Sequence, residues 1–136
     1  MTTQSGFVFL VLACTTANLF AIASAVKDNN LTVVHVMNGL PKSSPYPLKI
    51  QCKSKNMQVR YGEEVLKVGD DYRWTVEKNE IYYCQAVWFR FFASWHAFQP
   101  QRDLSNETVY WLIKDNGFFH SWDNSSWVRK ETWQTE

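Results

Sequence analysis

The sequence predicts an all-β protein, a small antiparallel β-sandwich of about seven or eight short strands. Apolar and polar residues alternate with a period of two along most of the chain after residue 30, which is the pattern of half-buried strands. Turn-forming residues separate these segments at short intervals, and no segment keeps a helical period over three turns. Aromatic residues make up 16% of the chain, a content that suits β-structure.

The predicted strands follow one another in order. They cover residues 31–37, 48–52, 57–61, 65–68, 72–77, 81–92, 109–113 and 118–122. Pro41 and Pro47 bound the first loop, because proline cannot continue a central strand. Segment 81–92 is the most hydrophobic and is predicted as one long central strand, apolar on both faces. Asn116 and Gly117 predict a tight hairpin between the last two strands, since both residues tolerate positive φ.

Residues 1–25 are predicted to be a secretory signal peptide. Residues 7–25 are apolar or small and carry no charge. The apolar run 7–13 has the length of a signal-peptide core and is too short to span a bilayer, and residues 23–25 (Ala-Ser-Ala) match a cleavage site. A membrane anchor is the alternative, but interrupting Asn, Thr and Ser residues disfavour it. We therefore expect residues 26–136 to form one exported, extracellular domain without stable membrane insertion.

The cysteines support export. Cys14 leaves with the leader, so the mature chain keeps Cys52 and Cys84. An even number of cysteines in an oxidising compartment favours a disulfide, and the alternative is two free buried thiols. Cys52 lies on the apolar face of its strand, where it is placed for a bridge across the core. A closed loop of about 30 residues would stabilise the fold by roughly 3–4 kcal/mol.

Three sequons predict a glycoprotein. Asn30, Asn106 and Asn124 each begin an Asn-x-Ser/Thr sequence without a central proline. All three fall at the edges of strand patterns or outside them, where a surface glycan can be carried.

Size and charge exclude several classes of protein. The mature chain has 136 − 25 = 111 residues, enough for one domain with one core. The net charge is +1, and lysines and arginines are scattered along the chain. This pattern gives no electrostatic footprint for nucleic acid. We expect a monomer.

Nothing in the sequence indicates catalysis. The histidines are His35, His96 and His120, and a ribonuclease would need two of them to converge with a lysine on a phosphate. The adjacent acidic pairs at 63–64 and 70–71 point to opposite strand faces, which does not suit a glycosidase. No cysteines or histidines are paired at metal-ligand spacing. We expect no enzyme, no metal site and no cofactor.

An ordered series of short motifs carries a family resemblance. The series is Val36-Met37-Asn38-Gly39-Leu40, the strand Leu48–Cys52 with Lys53-Ser54-Lys55 after it, Gly69-Asp70-Asp71-Tyr72-Arg73-Trp74, Cys84, and Asp115-Asn116-Gly117. It resembles the plant self-incompatibility protein S1 family, small secreted proteins also called S-protein homologues, which are β-sandwiches. The chain departs from the family in having Gln51 where histidine is usual. It also lacks two of the four family cysteines, those expected shortly before Trp111, so it resembles a divergent member.

The resemblance implies a secreted signalling or recognition ligand that binds a cell-surface receptor protein. Pollen–pistil recognition, other cell–cell recognition and development are the roles it suggests. Variable polar loops on a rigid sandwich would carry recognition. The candidate loop residues are Lys42, Ser43, Ser44, Tyr46, Lys53, Lys55, Asn56, Lys78, Asn79 and Glu80.

A secreted carbohydrate-binding or defence-related β-sandwich module is the alternative. Trp122, Trp127 and Trp133 lie in or near a polar tail. Exposed indoles in such a tail would form a platform on which sugar rings stack.

Overall fold

The structure is a computed structural model that describes residues 30–56 and 58–135. The predicted signal peptide lies outside the described residues. Within them the chain forms nine strands and one short helix. These are β1 (Leu31–Asn38), β2 (Leu48–Ser54), β3 (Arg60–Leu66), β4 (Asp71–Glu77), β5 (Tyr82–Trp88), β6 (Phe91–Phe98), α1 (Pro100–Asp103), β7 (Thr108–Lys114), β8 (Gly117–Ser121) and β9 (Val128–Glu131).

The strands build two sheets, which confirms the predicted all-β sandwich. One sheet has five strands in the order β4-β1-β7-β8-β9, and the other has four in the order β3-β2-β5-β6. The expectation of a purely antiparallel arrangement is wrong at one place, because β1 and β7 pair in parallel. The four-stranded sheet lies between them in sequence and provides the long crossover that a parallel pair requires.

The core lies between the sheets and follows the predicted period of two. In β1, Val34 and Val36 are fully buried while their neighbours are partly exposed. In β7, Trp111 and Ile113 are likewise buried between partly exposed neighbours. Alternation therefore fixes which face of each strand packs inward.

One edge strand was predicted as two. Segments 57–61 and 65–68 overlap the two ends of the single strand β3, which contains Gly62. Gly62 is exposed, and a Cβ placed on it would meet nothing within 4 Å. The register between β2 and β3 shifts near this glycine, between Ile50 and Cys52. A glycine at a register irregularity in an edge strand does not end the strand.

The predicted long strand 81–92 is wrong. It is the hairpin of β5 and β6, with Phe89 and Arg90 as a two-residue turn. The sequence carries no Gly, Asn, Asp or Pro at this turn to mark it. Val87 and Phe92 are exposed, so the apolar run is not buried on both faces.

Two further elements were not predicted. Strand β9 pairs with β8, yet none of its four residues is fully buried, so it lacks an alternating apolar face. Helix α1 is a single turn with proline in its first turn.

The predicted disulfide is present between Cys52 and Cys84. The two residues are direct partners on β2 and β5, with their Cα atoms 4.1 Å apart. The bridge therefore joins neighbouring strands of one sheet, and the expected bridge across the core is wrong. It faces the core all the same, since both cysteines are buried.

Candidate functional site

The two ends of the sandwich differ in chemistry. Strands β1 and β7 begin at one end and β8 ends there, which places Asn30, Asn106 and Asn124 together at what we call the sequon end. The turn between β5 and β6 and the loop before β2 lie at the opposite end, the aromatic end. The sequence did not predict this segregation, because the three sequons are far apart along the chain.

The aromatic end carries an exposed group of large apolar side chains, which we call the apolar patch. Its members are Tyr46, Val65, Val87, Phe89 and Phe92, with exposed fractions from 40% to 55%. Strand register places Val87 beside Phe92, whereas Val65 lies on β3, on the far side of Lys49 of β2. Exposed apolar side chains grouped at one end of a domain are typical of interaction sites.

Phe89 is exposed in the turn between β5 and β6, in a strained conformation. Its φ is +56°, a region that bulky residues rarely occupy. Among the turn's residues only this first position has positive φ, a conformation for which glycine is the usual residue. The Phe89 ring stacks on Tyr46 with the ring centroids 4.2 Å apart. Shallow depressions of ≈ 680 Å³ and ≈ 260 Å³ flank it.

The loop before β2 is fixed to this turn. Trp88 Nε1 donates a hydrogen bond to Ser44 Oγ at 2.9 Å. Tyr46 and the predicted loop residues Lys42, Ser43 and Ser44 therefore lie at the aromatic end. Arg90 adds positive charge, with its guanidinium 5.7 Å from the Phe89 ring centroid.

The other predicted recognition loops lie at the sequon end. Lys53 lies near the end of β2, and Lys55 and Asn56 follow that strand. Lys78, Asn79 and Glu80 connect β4 to β5. Asn56 Nδ2 donates to Glu80 Oε2 at 3.1 Å, so the structure brings these two loops together. Lys78 N donates to Asn30 O, which places this loop beside a sequon.

The sequons occupy ordered positions. Asn30 and Asn124 are exposed, and Asn106 is partly buried. Asn124 has a φ of +60°, which asparagine tolerates. Its loop is organised by Asp123, whose carboxylate accepts bonds from the backbone N–H groups of Ser126 and Ser125. These bonds, with one from the Ser121 hydroxyl, lower the pKa of Asp123 to about 2.

Sequence reasoning missed a buried carboxylate in α1. Asp103 is fully buried, and its Oδ1 accepts hydrogen bonds from Arg102 Nε, His120 Nε2 and Trp122 Nε1 at 2.9, 3.1 and 3.0 Å. Its Oδ2 accepts from Arg102 Nη2 at 2.6 Å and Gln99 N at 3.1 Å. Burial opposes ionisation, but the His120 and Arg102 bonds outweigh it and hold the pKa of Asp103 well below its usual range. No signal beyond an acidic residue in a short polar segment could have indicated this.

The histidines do not form a ribonuclease site. His120 is buried and hydrogen-bonded to Asp103. His96 is exposed, and its Nδ1 lies 3.0 Å from Gln99 Oε1. His35 pairs with Asp71 at 2.9 Å. Across residues 30–56 and 58–135, no cluster of three or more His, Cys, Asp or Glu side chains is arranged to hold a metal ion. No helix in this part of the chain is long and apolar enough to cross a membrane.

The three tail tryptophans have different environments. Trp133 packs against Trp88 and Phe118, and its Nε1 donates to a backbone carbonyl, so it belongs to the core periphery. Trp122 is about half exposed but is held by its bond to Asp103. Trp127 is partly buried.

The fold and its surface define a small, disulfide-bridged β-sandwich with an exposed apolar patch at one end. The family model of plant self-incompatibility protein S1 matches residues 33–133. The chain therefore belongs to the plant self-incompatibility protein S1 family, as the motif series indicated.

A solved structure supports the fold. It is described as a self-incompatibility protein homologue from a widespread family of small, highly stable, secreted proteins from plants. The similarity has a TM-score of 0.60 at 14% sequence identity, covering 78% of this chain and 96% of the other. At that identity it bears on the fold alone. No curated protein matches the sequence.

Proposed function

We propose that this protein is a secreted recognition ligand that binds a cell-surface receptor protein through the apolar patch and catalyses no reaction. The observation that carries the proposal is Phe89, an exposed phenylalanine held in a left-handed backbone conformation. Pollen–pistil recognition and development are both processes in which such a ligand would act.

The backbone conformation of Phe89 lowers the stability of the folded protein. A left-handed conformation costs a residue with a Cβ about 1–2 kcal/mol, and an exposed ring recovers little by burial. Glycine would satisfy the turn without strain. Strain of this kind in a folded protein is commonly associated with contact or catalytic function. A receptor that covers the ring would convert it into a binding anchor, as aromatic side chains are at interfaces.

Export fits the same role. The predicted signal peptide, the disulfide and the three sequons are the features of a secreted domain. Glycans on Asn30, Asn106 and Asn124 would project from the sequon end and leave the aromatic end accessible. Of the three predicted recognition loops, the loop of Lys42 to Tyr46 therefore becomes the principal candidate.

The patch also indicates the chemistry of the partner. Lys49 lies between Val65 and Val87 on the outer face of the sheet, and Arg90 flanks Phe89. A receptor surface with an apolar centre and acidic residues at its rim would complement this arrangement.

Binding to cells tests the proposal. Labelled secreted protein should bind cells of the tissue that produces it, saturably and with loss of binding after protease treatment of the cells. Val87→Ser should weaken this binding at least tenfold, the usual effect of losing a central apolar contact. Val128→Ser is the matched control, because Val128 is also an exposed valine but lies on β9. Equal effects of the two substitutions, or none from Val87→Ser, would contradict the proposal.

A further inference from the structure

A groove runs along the open edge of β6. Strand β6 is the edge of the four-stranded sheet and β9 is the edge of the five-stranded sheet. A backbone pair between Phe92 and Gln134 joins the two sheets at the aromatic end. Beyond this pair β6 and β9 separate, which opens a cleft of ≈ 330 Å³ with Ser94, Trp95 and Lys130 in its lining.

The cleft continues toward the sequon end. A second depression of ≈ 480 Å³ is lined by Asn79, Ile81 and Gln101, among others. The two share His96 and Gln99, so they form one elongated surface, which we call the β6 groove. Each half has the volume of an ordinary small-ligand site.

The groove is rich in groups that both donate and accept hydrogen bonds. Asn79, Gln99 and Gln101 contribute side-chain amides, and Ser94 contributes a hydroxyl. Apolar surface lies among them, from Ile81 and Pro100. A ligand with hydroxyl groups around an apolar ring face matches this alternation.

Charges in the groove are balanced. Lys55 and Glu80 line one half together, and Lys130 and Glu131 line the other. The remaining cation, Arg102, is paired with the buried Asp103 directly behind it. Neither positive nor negative charge is in excess, so the groove does not favour an ionic ligand.

Trp95 adds a second observation. Its Nε1–H is buried and has no hydrogen-bond partner. An unpaired buried donor costs about 1–3 kcal/mol. Trp95 also lies in the lining of the cleft, so a ligand oxygen that reached its indole N–H would offset this cost.

We propose that the β6 groove binds a short, uncharged oligosaccharide. This site is separate from the apolar patch and uses none of the tail tryptophans Trp122, Trp127 and Trp133. The inference stands on the groove alone and does not depend on the receptor proposal.

Nuclear magnetic resonance of the ¹⁵N-labelled protein tests this inference. The probes are cellotetraose, xylotetraose and β-1,4-galactotetraose, with tetragalacturonate as the charged comparator. At least one neutral probe should shift the indole N–H of Trp95 and the side-chain amides of Asn79 and Gln101. The double substitution Asn79→Ala, Gln101→Ala should weaken binding about tenfold, because both exposed amides lose their contacts.

Gln51→Ala is the matched control, since Gln51 is an equally exposed amide on β2 outside the groove, and it should bind the probe as the unmodified protein does. Phe89→Gly should also leave saccharide binding unchanged, which separates this inference from the receptor proposal. Selective binding of tetragalacturonate, shifts confined to Trp122 and Trp127, or no shift with any neutral probe would overturn it.

Discussion

Asp103 shows how one buried residue can position a surface. Its carboxylate joins α1 to β8 through His120 and to the following loop through Trp122. Through Arg102 it also reaches β6, because Arg102 Nη2 donates to His96 O at 3.0 Å. The wall of the β6 groove and the start of the Asn124 loop therefore depend on a single carboxylate.

Asp103→Asn should lower the free energy of unfolding by about 2–3 kcal/mol at pH 7, since bonds to a buried charge are lost. The folded-state pKa of Asp103 is depressed, so its contribution is complete above the ordinary carboxyl pKa and is lost as pH falls through the folded value. The difference between the two proteins should thus be constant above about pH 5 and shrink below about pH 4. Denaturant unfolding from pH 3 to pH 7 measures it.

Asp115→Asn is the control for this experiment, because Asp115 is exposed in the turn before β8. Its effect should be small at every pH. A constant difference between the unmodified protein and Asp103→Asn down to pH 3 would contradict the assigned role.

Among the strands and turns, the alternation of apolar and polar residues predicted the strands that have one buried and one open face. Alternation in β1, β4 and β7 located strands because each has one buried and one open face. It failed for β9, which has no fully buried residue, and for the β5–β6 turn, where Phe89 stands in place of glycine. The cysteine count predicted the disulfide but not its position within one sheet, because register depends on tertiary contacts. The Asp103 cluster and the apolar patch were equally unpredictable, since both assemble residues distant in sequence.

The β5–β6 turn should reverse the usual ranking of alanine and glycine in β-structure. Phe89→Ala keeps a Cβ in the left-handed conformation, whereas Phe89→Gly removes the strain. Both lose the stacking on Tyr46 equally. Phe89→Gly should therefore be more stable than Phe89→Ala by about 1 kcal/mol in denaturant unfolding, while both lose receptor binding. Equal stability, or a more stable alanine variant, would show that the turn is not strained.

The disulfide links β2 to β5, two neighbouring strands of the four-stranded sheet. Cys52 and Cys84 are separated by 32 positions, so losing the bridge should lower the free energy of unfolding by about 3–4 kcal/mol. Cys52→Ala, Cys84→Ala and the double substitution should have similar effects, because each opens the same loop. Unfolding of the secreted proteins measures the loss, and intact mass should show the unmodified chain two hydrogens lighter than its reduced form. If the double substitution lowered the free energy of unfolding by the sum of the two single effects, loss of the one disulfide would not be their common cause.

In the whole molecule, the sequon end and the aromatic end are separated by the full length of the sandwich. The strands run between a sequon end and an aromatic end, so a glycan attached at one end lies far from the other. This polarity predicts that the native glycans do not interfere with receptor binding. It also predicts that a glycan moved to the aromatic end does.

Lys42→Asn tests this polarity with a single substitution, because it creates an Asn-Ser-Ser sequon at positions 42–44. Lys42 is exposed in the loop that packs on the β5–β6 turn, so the fold should tolerate the change. The secreted variant should gain the mass of one glycan and lose cell binding, since a bulky, hydrated chain would cover the apolar patch. Lys42→Gln removes the same lysine but creates no sequon, so it should bind as the unmodified protein does, which separates the effect of the glycan from that of the lost lysine. Asn30→Gln is the matched control, and it should lose the mass of one glycan and bind as before. Undiminished binding by the fully glycosylated Lys42→Asn protein would place the receptor contact away from the aromatic end.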